Sequence, residues 1–321
     1  MAVGDLSQAG EGGPLAAGSA RLRNRAVIRI RESVILALLV GCALFSIAIT
    51  VTIIVVLFGE GLRFFAMPEA SLAEFFGSFE WNPTTGGHHF GVWPLVTGTF
   101  MVTLVAMLVA MPLGLITAIY LSEYAAPRVR AFLKPALEIL AGVPTVIYGY
   151  FAVTAITPAL KSYVYSGIDQ FNILAAGLAV GILCLPTISS LAEDALRAVP
   201  RSLREAAYGL GGTKFDVSLK VVLPAALSGI ISAFLLAVAR AIGETMIVAL
   251  AAGSQAQFTF NPTRQAQTMT GYMAATALGD TSNFGVEYFS VFAVGALLFC
   301  MTMALTLAGQ AIRRRFREEY Q

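Results

Sequence analysis

The chain has 321 residues, of which 57% are hydrophobic and 12% charged, with a mean hydropathy of +0.76. A soluble chain carries about 25% charged residues because its surface meets water; this chain has half of that and must dissolve largely in lipid. Its 21 basic and 19 acidic residues leave a net charge of only +2, which excludes a basic nucleic-acid surface. Cys42, Cys184 and Cys300 all sit in apolar runs with no paired spacing, which excludes a disulfide framework or a cysteine metal site.

Residues 1–32 read as a disordered, basic N-terminal segment. It is rich in Gly, Ala and Ser up to residue 20, then carries Arg21, Arg23, Arg25, Arg29 and Arg31. The apolar run 33–58 comes next. It exceeds the ~7–15 residues of a signal-peptide core and ends in Phe58-Gly59-Glu60, so an uncleaved anchor helix is expected.

Five further runs, about 95–121, 136–159, 172–191, 225–252 and 287–312, reach the ~20 residues that cross a hydrocarbon core. Their unbroken apolar length excludes a membrane β-barrel, whose strands alternate over about 10 residues. The expected fold is all-α and polytopic: a permease-like domain over 33–312 with six transmembrane helices, and a tail at 313–321.

Lys and Arg set the orientation. The N-terminal segment, the 122–135 and 192–224 loops and the C-terminus hold seventeen, against one each (Arg63, Lys161, Arg264) in the alternate connections. Both termini are therefore expected in the cytoplasm, with Arg240 left over inside a span.

Residues 59–94 form the first outer loop. It contains an amphipathic piece near Ser71–Phe79, Trp81-Asn82-Pro83 and the pair His88-His89. No further ligand lies at metal-site spacing from the histidines, so they read as a solvated loop touching a partner. Trp81 and Trp93 read as interfacial aromatics. Pro112, Pro144, Pro158 and Pro186, inside or near the ends of the runs, are expected to bend helices, and Gly177-xxx-Gly181 to let two helices approach closely.

The 192–224 loop is the most informative segment. Pro200 opens a helix, Leu203, Ala207 and Leu210 make one apolar stripe, and Gly211-Gly212 end it. Thr213, with Asp216 three residues on, caps a second helix that should run to Val222 and stop before Pro224. A short amphipathic helix on that face suits a groove on another protein or the membrane surface.

Arg240 and Glu244 lie in the fifth run. Counting from Ala225 places Arg240 ~22 Å along a helix, near mid-bilayer. A charge there costs at least about 2.5–3.5 kcal/mol and faces a partner or a wet path. The i, i+4 spacing puts both side chains on one face. They then make either an internal ion pair between helices or a path for an anion, whose oxygens a guanidinium matches with charge and a fork of donors.

These residues carry two resemblances. Glu205-Ala206-Ala207, Gly211, Val221 and Leu223-Pro224 match the EAA loop of ABC-importer permeases (EAA–x3–G–x9–I–x–LP), with Val for Ile. Arg-Ala-Ile-Gly-Glu-Thr at 240–245 resembles the fifth span of Pst phosphate-importer permeases. The Trp81-Asn82-Pro83 loop, Gly98-Thr99 and Pro112…Ser122-Glu123 look more like the PstC than the PstA type, over about residues 30–315.

The resemblance implies a type I ABC-importer permease fold in a bacterial inner membrane, half of a phosphate path that passes Arg240 and Glu244. It implies a PstA-like permease as partner, a PstB-like ATPase dimer docked on the EAA loop, and a PstS-like phosphate-binding protein on loops 59–94 and 253–286. No nucleic acid is involved. All four lysines follow Leu or Thr, so the chain has no P-loop Gly-Lys; ATP and Mg would sit on the ATPase, with no cofactor on this chain. The alternatives are the same architecture carrying molybdate, sulfate or an amino acid, or an ion-coupled secondary transporter.

Overall fold

The structure is a computed structural model and describes residues 14–83, 88–279 and 285–315. In chain order the elements are α1 (Pro14–Phe65), α2 (Leu72–Gly77), β1 (Trp81–Asn82), β2 (His89–Phe90), α3 (Trp93–Ile119), α4 (Pro127–Ala141), α5 (Thr145–Phe151), α6 (Thr157–Tyr163) and α7 (Ile173–Ala198). Then come α8 (Arg201–Gly209), α9 (Lys214–Val217), α10 (Leu223–Ala225), α11 (Leu227–Ile242), α12 (Met246–Ala251), α13 (Met269–Leu278) and α14 (Val286–Arg315). Wider π-helical turns at Tyr120–Tyr124, Ala152–Ile156 and Ser218–Val222 join some of them.

The protein is an all-α, multi-pass membrane protein. Among the described residues, Arg31–Phe65, Trp93–Tyr124, Ile173–Ala198 and Val286–Arg313 are long and apolar enough to cross a bilayer. Two bent pairs, Pro127–Ala141 with Thr145–Tyr163 (87°) and Lys214–Ala225 with Leu227–Ile242 (70°), raise the number to six if each is one span.

The chain divides into two compact units, 1–56 and 57–321. In the first, α1 begins at Pro14, so residues 14–32 are helical where a structureless tail was expected. The Ala, Leu and Arg between Pro14 and Arg31 are strong helix formers, and this outweighed the glycine and serine content. The expected disorder of residues 1–13, like the tail from Phe316 on, lies outside the described residues.

The second unit packs α3 against α7. A Cβ on Gly177 would come within 2.6 Å of Val105, and one on Gly181 within 3.0 Å of the Ala106 carbonyl, so both glycines admit a neighbouring backbone. In lipid, where water does not drive apolar faces together, such close contact is what holds helices. Around it lies a core of small and branched side chains: Val102, Ala106, Ala110, Ala176, Val180, Leu183, Ala237 and Ile247. Asn172 caps α7, its side chain accepting from the Ala175 amide at 2.7 Å.

A second cluster gathers Phe64, Phe75, Trp81, Phe90, Leu95 and Tyr272 beneath the β1–β2 hairpin, which pairs Trp81 with Phe90 and Asn82 with His89. Trp81 is therefore a core residue, not an interfacial one; Trp93 is partly exposed and donates to the Phe76 carbonyl at 2.7 Å. A third cluster, including Ala118, Leu196, Val199, Val217, Val222 and Ile230, seats the 192–224 loop.

One helix bends where a proline was expected to bend it, and two others depart from the expected course. The run 136–159 bends at Gly142-Val143-Pro144, because a proline lacks the amide that would continue the ladder and disfavours helix before it. The run 225–252 breaks at Ala226, which sits at φ −88°, ψ 0°, and again at Gly243-Glu244-Thr245. The helix expected to stop before Pro224 continues through it: the π turn Ser218–Val222 frees the proline's position from the usual bond, and α10 carries the chain to Ala225.

Candidate functional site

Arg240 stands in the last turn of α11 with an exposed side chain. Its guanidinium donates to Thr187 Oγ1, on α7 beside the helix proline Pro186, at 3.2 Å. That leaves most of its five N–H donors uncommitted.

Glu244 is placed differently from the expectation. α11 ends at Ile242, so Glu244 lies beyond the helix and the two residues no longer share one helical face. It is 9% exposed, and its carboxylate accepts from the Ile247 amide at 3.2 Å in the first turn of α12. Thr270 Oγ1 donates to its backbone carbonyl at 2.6 Å. Among the described residues no ion pair joins Arg240 to Glu244. The glycine at 243, a poor helix former, permits the break, and the carboxylate then serves as acceptor for the restarted helix.

The EAA-type residues fall on α8 and on the segment from Gly211 to Pro224. Glu205 and Ala206 lie on the exposed face of α8, while Ala207 and Leu203 turn inward against the third cluster. Leu210 is 91% exposed, and Gly211 takes φ +84°, the left-handed value that ends a helix and favours glycine. Thr213 caps α9 by accepting from the Asp216 amide at 3.2 Å. Val221 and Leu223 are half-buried and Pro224 exposed.

Two groups of residues acquire a role only in the folded chain. Arg204 reaches back from α8 to both oxygens of Glu123, at 2.6 and 2.7 Å, and to the Leu196 carbonyl at 2.6 Å. On α7 the fully buried Glu193 carboxylate pairs with Arg130, with Lys134 at 3.4 Å and with Arg197 at 3.8 Å. The signal available was the i, i+4 spacing of Arg130 with Lys134 and of Glu193 with Arg197; nothing in the order of residues brings α4 to α7.

Among the described residues, no group of three ligating side chains lies together. His89 Nδ1 lies 3.1 Å from Glu74, and His88 Nδ1 lies 2.9 Å from the Pro83 carbonyl.

Residues 110–318 match the family described as "Binding-protein-dependent transport system inner membrane component". The chain belongs to that family. The match takes in Arg240, Glu244 and the whole 192–224 loop, so the chain is a transport permease and not an enzyme. It is 34% identical to a probable ABC transporter permease protein, YqgH, of Bacillus subtilis, over 89% of this chain and 91% of that one. It is 32% identical to a phosphate transport system permease protein PstC of Xylella fastidiosa, over 76% and 80%.

The fold is also that of solved importers. A bacterial ABC transporter involved in alginate import is similar at a TM-score of 0.60 and 14% identity, covering 81% of this permease and 89% of that chain. The MetNI methionine ABC transporter in an inward-facing conformation is similar at a TM-score of 0.53 and 20% identity, covering 71% and 95%.

Proposed function

We propose that this permease forms half of the membrane path of an ATP-driven importer of inorganic phosphate. The observation that carries the reading is Arg240: an exposed guanidinium at the end of an apolar helix, tied only to Thr187 among the described residues. A dianion leaving water needs its charge balanced and its hydration replaced, and a guanidinium with free donors supplies both. Glu244, buried and engaged with α12, holds the broken segment beside it and is not spent on neutralising Arg240. The relatives named PstC support phosphate as the anion.

The same proposal extends to the rest of the transporter. A PstA-like permease encloses the path with this one; a relative named PstA 1, of Mycobacterium tuberculosis, is 37% identical over half of this chain. An ATPase dimer, which binds the ATP and Mg, docks on the exposed face of α8, with both permease termini on that cytoplasmic side. A phosphate-binding protein docks outside, on loops 59–94 and 253–286. Closure of the ATPases pulls the α8 loops together and turns the path outward; phosphate enters, passes Arg240 and leaves after hydrolysis.

The test is uptake in cells lacking the gene and complemented with it. Labelled phosphate should accumulate, and labelled sulfate or molybdate should not. Accumulation should vanish with Glu205→Lys, together with co-purification of an ATPase. Uptake of sulfate or molybdate in place of phosphate would overturn the substrate, and uptake without any ATPase would overturn the class.

A further inference from the structure

A cavity of about 760 Å³ opens between the end of α3, α4, the end of α7 and α8. Its volume is that of a small-molecule site. Arg130, Lys134, Arg197, Arg201 and Arg204 line it, against the single carboxylate of Glu138.

The cations are held in place from below. The Glu193 carboxylate is 0% exposed and bears Arg130, Lys134 and Arg197, while Glu123, 6% exposed, bears Arg204. Lys134 also reaches Asp194 at 3.2 Å. Arg201 has no ion pair among the described residues. Each guanidinium has five donors and a carboxylate accepts at about four sites. The buried carboxylates therefore fix these cations without using up their N–H groups, and all five cationic residues line the cavity.

The neighbouring surface is apolar. On α4, Arg130, Lys134 and Glu138 line the cavity, whereas Val129, Phe132 and Ile139 stand exposed on another side of the helix, Phe132 at 74%. An amphipathic helix with a cationic side is the form that lies at a lipid interface, and basic pockets between membrane helices hold lipid phosphates.

We propose that this cavity binds a phosphate group: a phosphodiester headgroup of an anionic phospholipid or free inorganic phosphate. The site is separate from Arg240 and does not rest on what the permease carries.

The experiment uses the full chain, purified with whatever subunits it retains. In one arm it is placed in phosphatidylcholine nanodiscs doped with phosphatidylglycerol, and retained phosphatidylglycerol is counted by native mass spectrometry. In the other, labelled inorganic phosphate is titrated into phosphatidylcholine-only discs carrying Arg240→Ala, so that binding at that residue does not contribute. Binding in either arm should fall about tenfold or more in the double variant Lys134→Gln, Arg201→Gln, and rise with Glu138→Gln, which removes the only carboxylate of the lining. The first arm reports a lipid source and the second free phosphate. Binding of neither probe, or binding that ignores both variants, overturns the site. The thermal midpoint of each variant separates lost binding from lost folding.

Discussion

Arg204 grips Glu123 through both carboxylate oxygens, at 2.6 and 2.7 Å, and so fastens α8 to the end of α3. The same guanidinium takes the Leu196 carbonyl at 2.6 Å, adding the end of α7 to the joint. With 20% of the Arg204 side chain and 6% of Glu123 exposed, the pair is poorly screened. A force applied to α8 therefore reaches two membrane helices through one side chain.

Arg204→Ala strands the Glu123 carboxylate and should destabilise this joint by about 3–5 kcal/mol. The expected outcome in reconstituted transporter is ATP hydrolysis that persists while transport per ATP falls. The exchange Arg204→Glu with Glu123→Arg should recover part of the loss. Equal loss of hydrolysis and transport in both single variants, with no recovery in the exchange, would make the joint merely structural.

Gly177→Ala should lower stability by about 1–3 kcal/mol, since its Cβ would fall 2.6 Å from Val105 Cβ and something must shift. The thermal midpoint in detergent measures this. Gly41→Ala, with nothing within 4 Å, should leave the midpoint unchanged or raise it.

Gly211→Val forces a β-branched side chain into φ +84°. The strain, about 1–2 kcal/mol or more, should unwind the end of α8 and reduce co-purification of the ATPase. Gly211→Asn, which tolerates this conformation better, should retain more of it.

The membrane helices and α8 were legible because their signals are local: apolar length, a proline at 200, a glycine at 211. Close packing at Gly177 and Gly181 was legible too, since small residues at that spacing have one common use in lipid. The bend at Gly142–Pro144 was legible from the proline, but the break at Gly243–Thr245 was missed because apolar length alone does not distinguish a straight span from two short helices. Trp81 was misread for a related reason: an aromatic near a span end looks interfacial until a hairpin folds it onto Phe75, Phe90 and Tyr272.

The pairs Arg204–Glu123 and Arg130–Glu193 join residues 81 and 63 positions apart, and no periodicity in one chain encodes such a meeting. Arg240 was picked out by the cost of its charge in an apolar run. Its neighbour Thr187 emerged only with the packing of α7 against α11.

Labelled-phosphate uptake by the intact transporter carrying Arg240→Ala tests the proposed phosphate path most directly. Loss of one charged donor group from the path should cut uptake about ten- to a hundredfold, with the ATPase still bound and Arg240→Lys intermediate. Uptake at the wild-type rate in Arg240→Ala, at equal membrane abundance, would contradict it.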